Sequence, residues 1–183
     1  RSSPLFSLAV YDPLDYYTGD PADIEDYEMK KGRSGNIVSL IRTGFLKRFE
    51  SSVTSFETSC DRILRKLLAF QKKHCETPEE IKRLASWIDK HDAVLGYSSA
   101  KQIELWGDEN DDDEIELFPS ELLERWEYLE RDQYKVDEII HETFNDLDEL
   151  AVFLEETKKF KPENDDKLNK LIRMLNSKKL AQK

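Results

Sequence analysis

Residues 34–73 read SGNIVSLIRTGFLKRFESSVTSFETSCDRILRKLLAFQKK, and their apolar positions decide the fold. Val38, Ile41, Phe45, Phe49, Val53, Phe56, Cys60, Ile63, Leu67 and Phe70 follow one another at spacings of three and four. Nine such steps cover 32 residues, about 3.6 per step, which is the period of an α-helix burying one stripe. The spacing predicts one continuous helix from about Ser34 to Lys73, roughly 60 Å long at 1.5 Å per residue. A helix of that length is too long for a small compact core and should brace several others. Gly44 lies inside it at a cost of about 1 kcal/mol relative to alanine. It marks close packing, a kink, or a small residue that is tolerated.

Breaker placement extends the pattern outward. No proline falls between Pro21 and Pro78 or between Pro119 and Pro162, and no glycine follows Gly107. Long helices need such stretches. Thr77-Pro78-Glu79-Glu80 is a helix start: Thr77 as N-cap, Pro78 at the first position, and Glu80 closing a capping box. Ile81, Leu84, Ala85, Ile88 and Leu95 form its expected buried face, with Gly96 as its end. A further helix opens near Ser120 with Leu122, Leu123, Trp126 and Leu129, bending near Asp132. The next carries Val136, Ile139, Ile140, Phe144, Leu147, Leu150, Ala151 and Leu154 to about Lys159. Asn164 or Asp165 caps a last one with Leu168, Leu171, Ile172 and Leu175. Residues 1–32 are irregular, although Phe6, Leu8 and Val10 alternate and allow a short strand. Tyr11, Tyr16, Tyr17 and Tyr27 are expected to pack that segment onto helices. The fold expected is all-α: an elongated antiparallel bundle built on one very long helix, with an irregular N-terminal segment, divided as 1–32 and 33–183.

Composition agrees with helices that bury a stripe and solvate the rest. Hydrophobic residues make up 38% against about 45–50% in average globular chains. Aromatic residues at 10% are too many for a chain without a core. The net charge of −11 is uneven: Lys30 to Lys73 holds 11 Lys/Arg against 3 Asp/Glu, a net of +8, which leaves −19 elsewhere. Such asymmetry marks an interaction face. Cys60 and Cys75 would lie about 22 Å apart on one helix, too far to bridge, so reduced thiols and a cytoplasmic setting follow. No apolar run approaches the ~20 residues of a membrane span.

Catalytic signals are weak. No Walker-type or Gly-x-Gly-x-x-Gly loop is present, so the usual nucleotide-binding loops are missing. His141-Glu142 opens like a zinc-protease helix, but Asn145 stands where the second histidine belongs. Glu138-x-x-His141 is half of a di-iron site that needs two such pairs. The acidic run Asp108–Glu114 fails as a calcium loop, having Asp113 for the required glycine and Pro119 for the required glutamate. His74, His91 and His141 read as ordinary surface or boundary residues, and Cys60 as a buried hydrophobe. Trp87, Trp106 and Trp126 read as core. No catalytic, cofactor-binding or metal-binding residue is assigned. Six basic residues of the long helix, Arg42, Lys47, Arg48, Arg62, Arg65 and Lys66, are candidates for neutralising phosphates. The plainer account, pairing with the acidic remainder of the bundle for a few tenths of a kcal/mol each, is the one the sequence favours for the chain on its own.

Three blocks carry a resemblance. Arg1-Ser-Ser-Pro-Leu-Phe6, Ala9-Val-Tyr-Asp-Pro13 and Phe45-Leu-Lys-Arg-Phe-Glu-Ser-Ser52 resemble the large bacterial and archaeal Swi/Snf-type helicases related to the RapA-like ATPases. In that family a long helix with a similar motif follows the first RecA-like lobe and a helical insertion comes next. A segment like Asp166-Lys-Leu-Asn-Lys-Leu171 then leads into the second lobe. The resemblance implies that this chain is a non-catalytic helical insertion. The parent would bind ATP and magnesium outside this chain and translocate on nucleic acid. The partners implied are the parent's own motor lobes and double-stranded DNA, held through phosphates. The start at Arg1 and the basic end Lys178–Lys183 read as excision points. The alternative is a helical protein-interaction scaffold with an acidic docking surface.

Overall fold

The structure, a computed structural model, describes residues 6–96 and 127–159. Among them it has four α-helices with both ends described, a further helical stretch over 92–96, three short 3-10 turns, and no strand; a lone antiparallel bridge joins Tyr17 to Tyr134. We number the helices α1 (Tyr27–Ser51), α2 (Val53–His74), α3 (Pro78–Lys90) and α4 (Val136–Lys158). The all-α expectation holds. The start of the helix expected near Ser120, the one expected after Asn164, the acidic run 108–114, Trp106 and Trp126 lie outside the described residues. The expected continuation through Leu129 to a bend at Asp132 does not form, because residues 127–130 are not helical and 131–133 are a turn.

The single long helix does not form. Ser52 is extended, at φ −162° and ψ 136°, and ends α1 while capping α2 with a side chain that accepts from the Ser55 amide at 3.5 Å. The local sequence explains the break. Ser51, Ser52, Val53, Thr54 and Ser55 are all weak helix formers, and serine hydroxyls favour caps over helix interiors. Beyond Ser52 the chain folds back. Phe45 meets Phe56 with ring centroids 4.6 Å apart, and Arg48 Nη1 donates to Ser59 Oγ at 2.9 Å, so α1 and α2 form an antiparallel hairpin. The helix runs unbroken through Gly44, so that glycine is not the kink. At its other end α1 starts at Tyr27, well before Ser34, so the irregular segment stops at Asp26. The polar run from Glu28 to Arg33 is mostly exposed and has no apolar period to announce a helix.

α2 is the central element. It packs on α1, α3 and α4, and buries Leu64, Leu67, Leu68, Ala69 and Phe70 around much of its circumference. Gln71 Nε2 donates to Ile140 O at 2.8 Å near one end, while Phe56 meets Phe153 at 5.6 Å near the other. α4 therefore runs antiparallel to α2. Every residue of the apolar stripe expected for α4 is buried. α3 lies beside α4 in the same direction: Arg83 sits over the Phe144 ring at 4.1 Å, and Trp87 Nε1 donates to Asp148 Oδ1 at 2.8 Å. Leu84 of its expected face is buried and Ile88 is half-buried, whereas Ile81 and Ala85 are exposed; Trp87 is buried in addition. α3 ends at Lys90 with His91 as its cap, not at Gly96, so the buried Val94 and Leu95 belong to a separate helical stretch over 92–96.

The capping box of α3 forms as its sequence dictates. Thr77 Oγ1 accepts from the Glu80 amide at 3.2 Å, and Glu80 Oε2 accepts from the Thr77 amide at 3.0 Å. Thr77→Ala is expected to cost about 1 kcal/mol, read as a lower urea midpoint at unchanged slope.

The N-terminal segment is not a strand. Leu8 adopts a left-handed backbone, φ 56°, and leads into the turn Ala9–Tyr11; a second turn covers Pro13–Tyr16. Phe6, Leu8, Ala9 and Val10 are all buried, so successive side chains turn inward where a strand would alternate. Tyr11 and Tyr16 pack against the core as expected, and Tyr17 stacks at a tilt on Tyr134 with centroids 5.2 Å apart.

Candidate nucleic-acid interface

The break at Ser52 decides where the six basic candidates go. Arg48 near the end of α1 is brought against Ser59 of α2, and with Arg62 and Lys66, one and two turns further along α2, it lines one groove between the helices with a volume of about 420 Å³. Leu40, Ile41, Gly44 and Ile63 form much of its lining, with Tyr11 of the N-terminal segment at its side. Among the described residues no carboxylate lines it. Arg62 is exposed, and Arg48 is exposed with one guanidinium nitrogen on Ser59. Lys47 is exposed on the same ridge of α1 as Leu40 and Gly44, at helical spacings of seven and three.

The other two candidates sit elsewhere. Arg65 is buried in α2, with Nε 3.0 Å from Asp61 Oδ2; the two side chains are 9% and 4% exposed. It faces the bundle and cannot touch a duplex. Arg42 clamps the N-terminal segment, its Nε donating to Phe6 O at 2.9 Å and its Nη2 to Ser7 O at 3.1 Å. Asp146 of α4 holds the same segment from the other side, its carboxylate accepting from the amides of Ser7 and Leu8 at 2.7 Å each. These residues split between the two readings made from sequence: Arg65 pairs inside the bundle, Arg42 serves the fold, and Arg48, Arg62 and Lys66 line the groove.

The remaining titratable groups fit the packing. His74 is buried and stacked on Phe70; its Nδ1 bonds to Phe70 O at 3.0 Å as donor, and its Nε2 accepts from the Leu129 amide at 3.2 Å. Burial lowers its pKa, keeping the ring neutral so that it can accept. Arg131 ties the segment before α4 to the start of α3, with Nη2 2.8 Å from Glu80 Oε2 and donating to His74 O at 2.9 Å. His91 is buried beside Trp87, 3.9 Å from Asp148 and 4.0 Å from Glu155, and burial lowers its pKa. Burial pushes the Cys60 thiol up to about 12 and the Cys75 thiol up to about 11, which suits packing and not nucleophilic attack. Both cysteines are free and buried. His141 is exposed. Among the described residues no group of three or more His, Cys, Asp or Glu side chains is placed to hold a metal ion. No helix among them is long and apolar enough to cross a membrane.

No family model matches the chain, and no curated protein or solved structure matches it either.

Sequence reasoning missed Ser59, Gly44 and Tyr11 as parts of the groove. The signal that could have found them is the serine-rich break, because folding the stripe back at Ser52 sets Gly44 and Arg48 against Ser59 and Ile63.

Proposed function

We propose that this chain is a non-catalytic helical insertion from an ATP-driven helicase of the Swi/Snf type, set between its two RecA-like lobes, and that its α1–α2 groove grips the phosphate backbone of duplex DNA. The observation that supports the contact is that Arg48, Arg62 and Lys66 line one groove. A chain of net charge −11 that gathers cations on one face has an address for a polyanion. The grip is independent of base sequence, because it uses phosphates alone. ATP and magnesium belong to the motor lobes of the parent, as does a cytoplasmic setting. Lobe closure reaches the groove through α2, which packs on α1, α3 and α4, and through the N-terminal segment held by Arg42 and Asp146. A protein-interaction scaffold is the second reading; the exposed apolar side chains Met29, Leu40, Leu46 and Phe49 of α1 favour it.

Fluorescence anisotropy with a labelled duplex of about 25 base pairs tests the first reading. Weak binding at low salt is expected, with log affinity falling against log salt at a slope of about −2.7 for three released counterions. Arg48→Gln, Arg62→Gln and Lys66→Gln together should abolish most of that slope and leave the urea midpoint in place. No binding at the lowest salt, or a slope untouched by the triple variant, rejects the groove as a DNA contact. ATP hydrolysis by this chain alone would reject the non-catalytic reading.

A further inference from the structure

The α1–α2 groove carries two kinds of surface. Its rim is cationic, with Arg48, Arg62 and Lys66, and its lining is apolar, with half-buried Ile41 and Ile63 low in it and exposed Leu40 at its edge. A phosphate backbone answers the rim but leaves the apolar lining wet. Leu40 is 70% exposed and Ile37, one turn earlier on the same helix, is 39% exposed. Gly44 lies between Leu40 and Arg48, and a Cβ added there would meet nothing within 4 Å, so the space above its backbone is open to an incoming chain.

We infer that this groove docks an amphipathic helix of a partner protein whose apolar stripe is flanked by glutamate or aspartate. The groove between two antiparallel helices is the ordinary seat for a third, which lays apolar side chains at i, i+3 or i+4, and i+7 along the furrow. From Leu40 to Arg48 the groove runs about 12 Å, a little over two helical turns, room for two or three such anchors. Charge selects the partner. A basic helix would face three like charges, and a neutral one would desolvate cations without replacing their water. The concave shape speaks against a bilayer, which calls for an apolar face that projects outward. This inference goes beyond the duplex reading, because it rests on the apolar lining that phosphates do not use.

The test uses the full chain and a labelled synthetic peptide of about 18 residues, with leucines at i, i+3, i+4 and i+7 and glutamates beside them. The controls are the same residues scrambled and a version with lysine for every glutamate. Saturable binding of the first peptide alone is expected. Leu40→Gln and Arg62→Glu should each weaken it about tenfold, whereas only Arg62→Glu should weaken duplex binding. Leu40 is so exposed that its replacement leaves the fold in place, which a matching urea midpoint verifies. Equal binding of the scrambled peptide, or peptide binding indifferent to Leu40→Gln, would show attraction by charge alone and overturn the inference. Duplex binding with no peptide binding also overturns it and leaves the DNA reading intact. Peptide binding with no duplex binding supports it and removes the DNA reading. Attachment to phosphatidylserine vesicles that Leu40→Gln abolishes would overturn it in favour of a lipid surface.

Discussion

Arg65→Ala should destabilise the fold by about 3 kcal/mol, because it strips a charge-assisted hydrogen bond from a carboxylate that stays inside the bundle. Asp61 and Arg65 lie one turn apart on α2, and their side chains are 4% and 9% exposed. Water cannot readily replace the guanidinium at so enclosed a position, so the Asp61 carboxylate loses a charge-assisted hydrogen bond one turn away. Replacing both partners with apolar side chains of similar size, Asp61→Leu with Arg65→Met, should recover most of the loss. Chemical unfolding of the two single variants and the double variant measures this as a coupling energy. A loss under 1 kcal/mol for Arg65→Ala would show that the pair is open to solvent. In the same experiment Arg65→Ala should leave the affinity of the folded chain for duplex DNA unchanged, which separates this residue from Arg62 and Lys66.

The second large effect is expected at Asp146, which is 4% exposed and accepts from two consecutive amides. Asp146→Ala would leave the amides of Ser7 and Leu8 without this acceptor and loosen a left-handed Leu8 backbone that Asp146 holds from one side and Arg42 from the other. A cost of about 3 kcal/mol is expected, as for the loss of hydrogen bonds to a charged group. Released, the N-terminal segment should become open to proteolysis and fast hydrogen exchange. The pH dependence carries a sign. Burial pushes this carboxyl up to about 6, while the two amides pull it down. Its folded pKa lies above the unfolded value of about 4, so the folded state binds the proton more tightly. The stability this site contributes is therefore complete below about pH 4 and is lost as pH rises through about 6. Asp146→Asn cannot titrate, so the stability advantage of the natural chain over that variant should shrink between pH 4 and 6. A difference that is flat across this window would show the carboxylate to be solvated.

Much of the fold was legible because α3 and α4 state their own boundaries. Thr77-Pro78 and Glu80 form a closed local circuit, and the stripe from Val136 to Leu154 faces one core throughout. The break at Ser52 was hidden by arithmetic. Phe49 and Phe56 are seven residues apart, two full turns, so the apolar period crosses the break undisturbed. Both helices of a hairpin turn stripe residues to the same core, Val38 and Phe45 from α1 and Phe56, Cys60, Leu67 and Phe70 from α2, although Phe49 stays exposed beside the break. Periodicity does not tell a hairpin from a rod. The information lay in propensity, in the five weak helix formers from Ser51 to Ser55. The candidate site was legible as a class of residue and not as a place. Asp61-x-x-x-Arg65 on an apolar helix was a readable sign of an internal pair. The partners of Arg42, the carbonyls of Phe6 and Ser7, are 36 and 35 residues away and follow from no local rule.

The turn at Ser52 also bears on how fast the chain assembles. Arg48 and Ser59 are only 11 positions apart, so bringing α1 onto α2 closes a short loop and sacrifices little chain freedom. Gln71 and Ile140 are 69 positions apart, and α2 must wait for α4 across that distance. The hairpin should therefore form the nucleus, with α4 docking onto it afterwards. Truncating Phe56 to alanine should slow refolding, while truncating Leu147 should chiefly hasten unfolding. The reverse pattern in stopped-flow kinetics would place the nucleus at the distant contact.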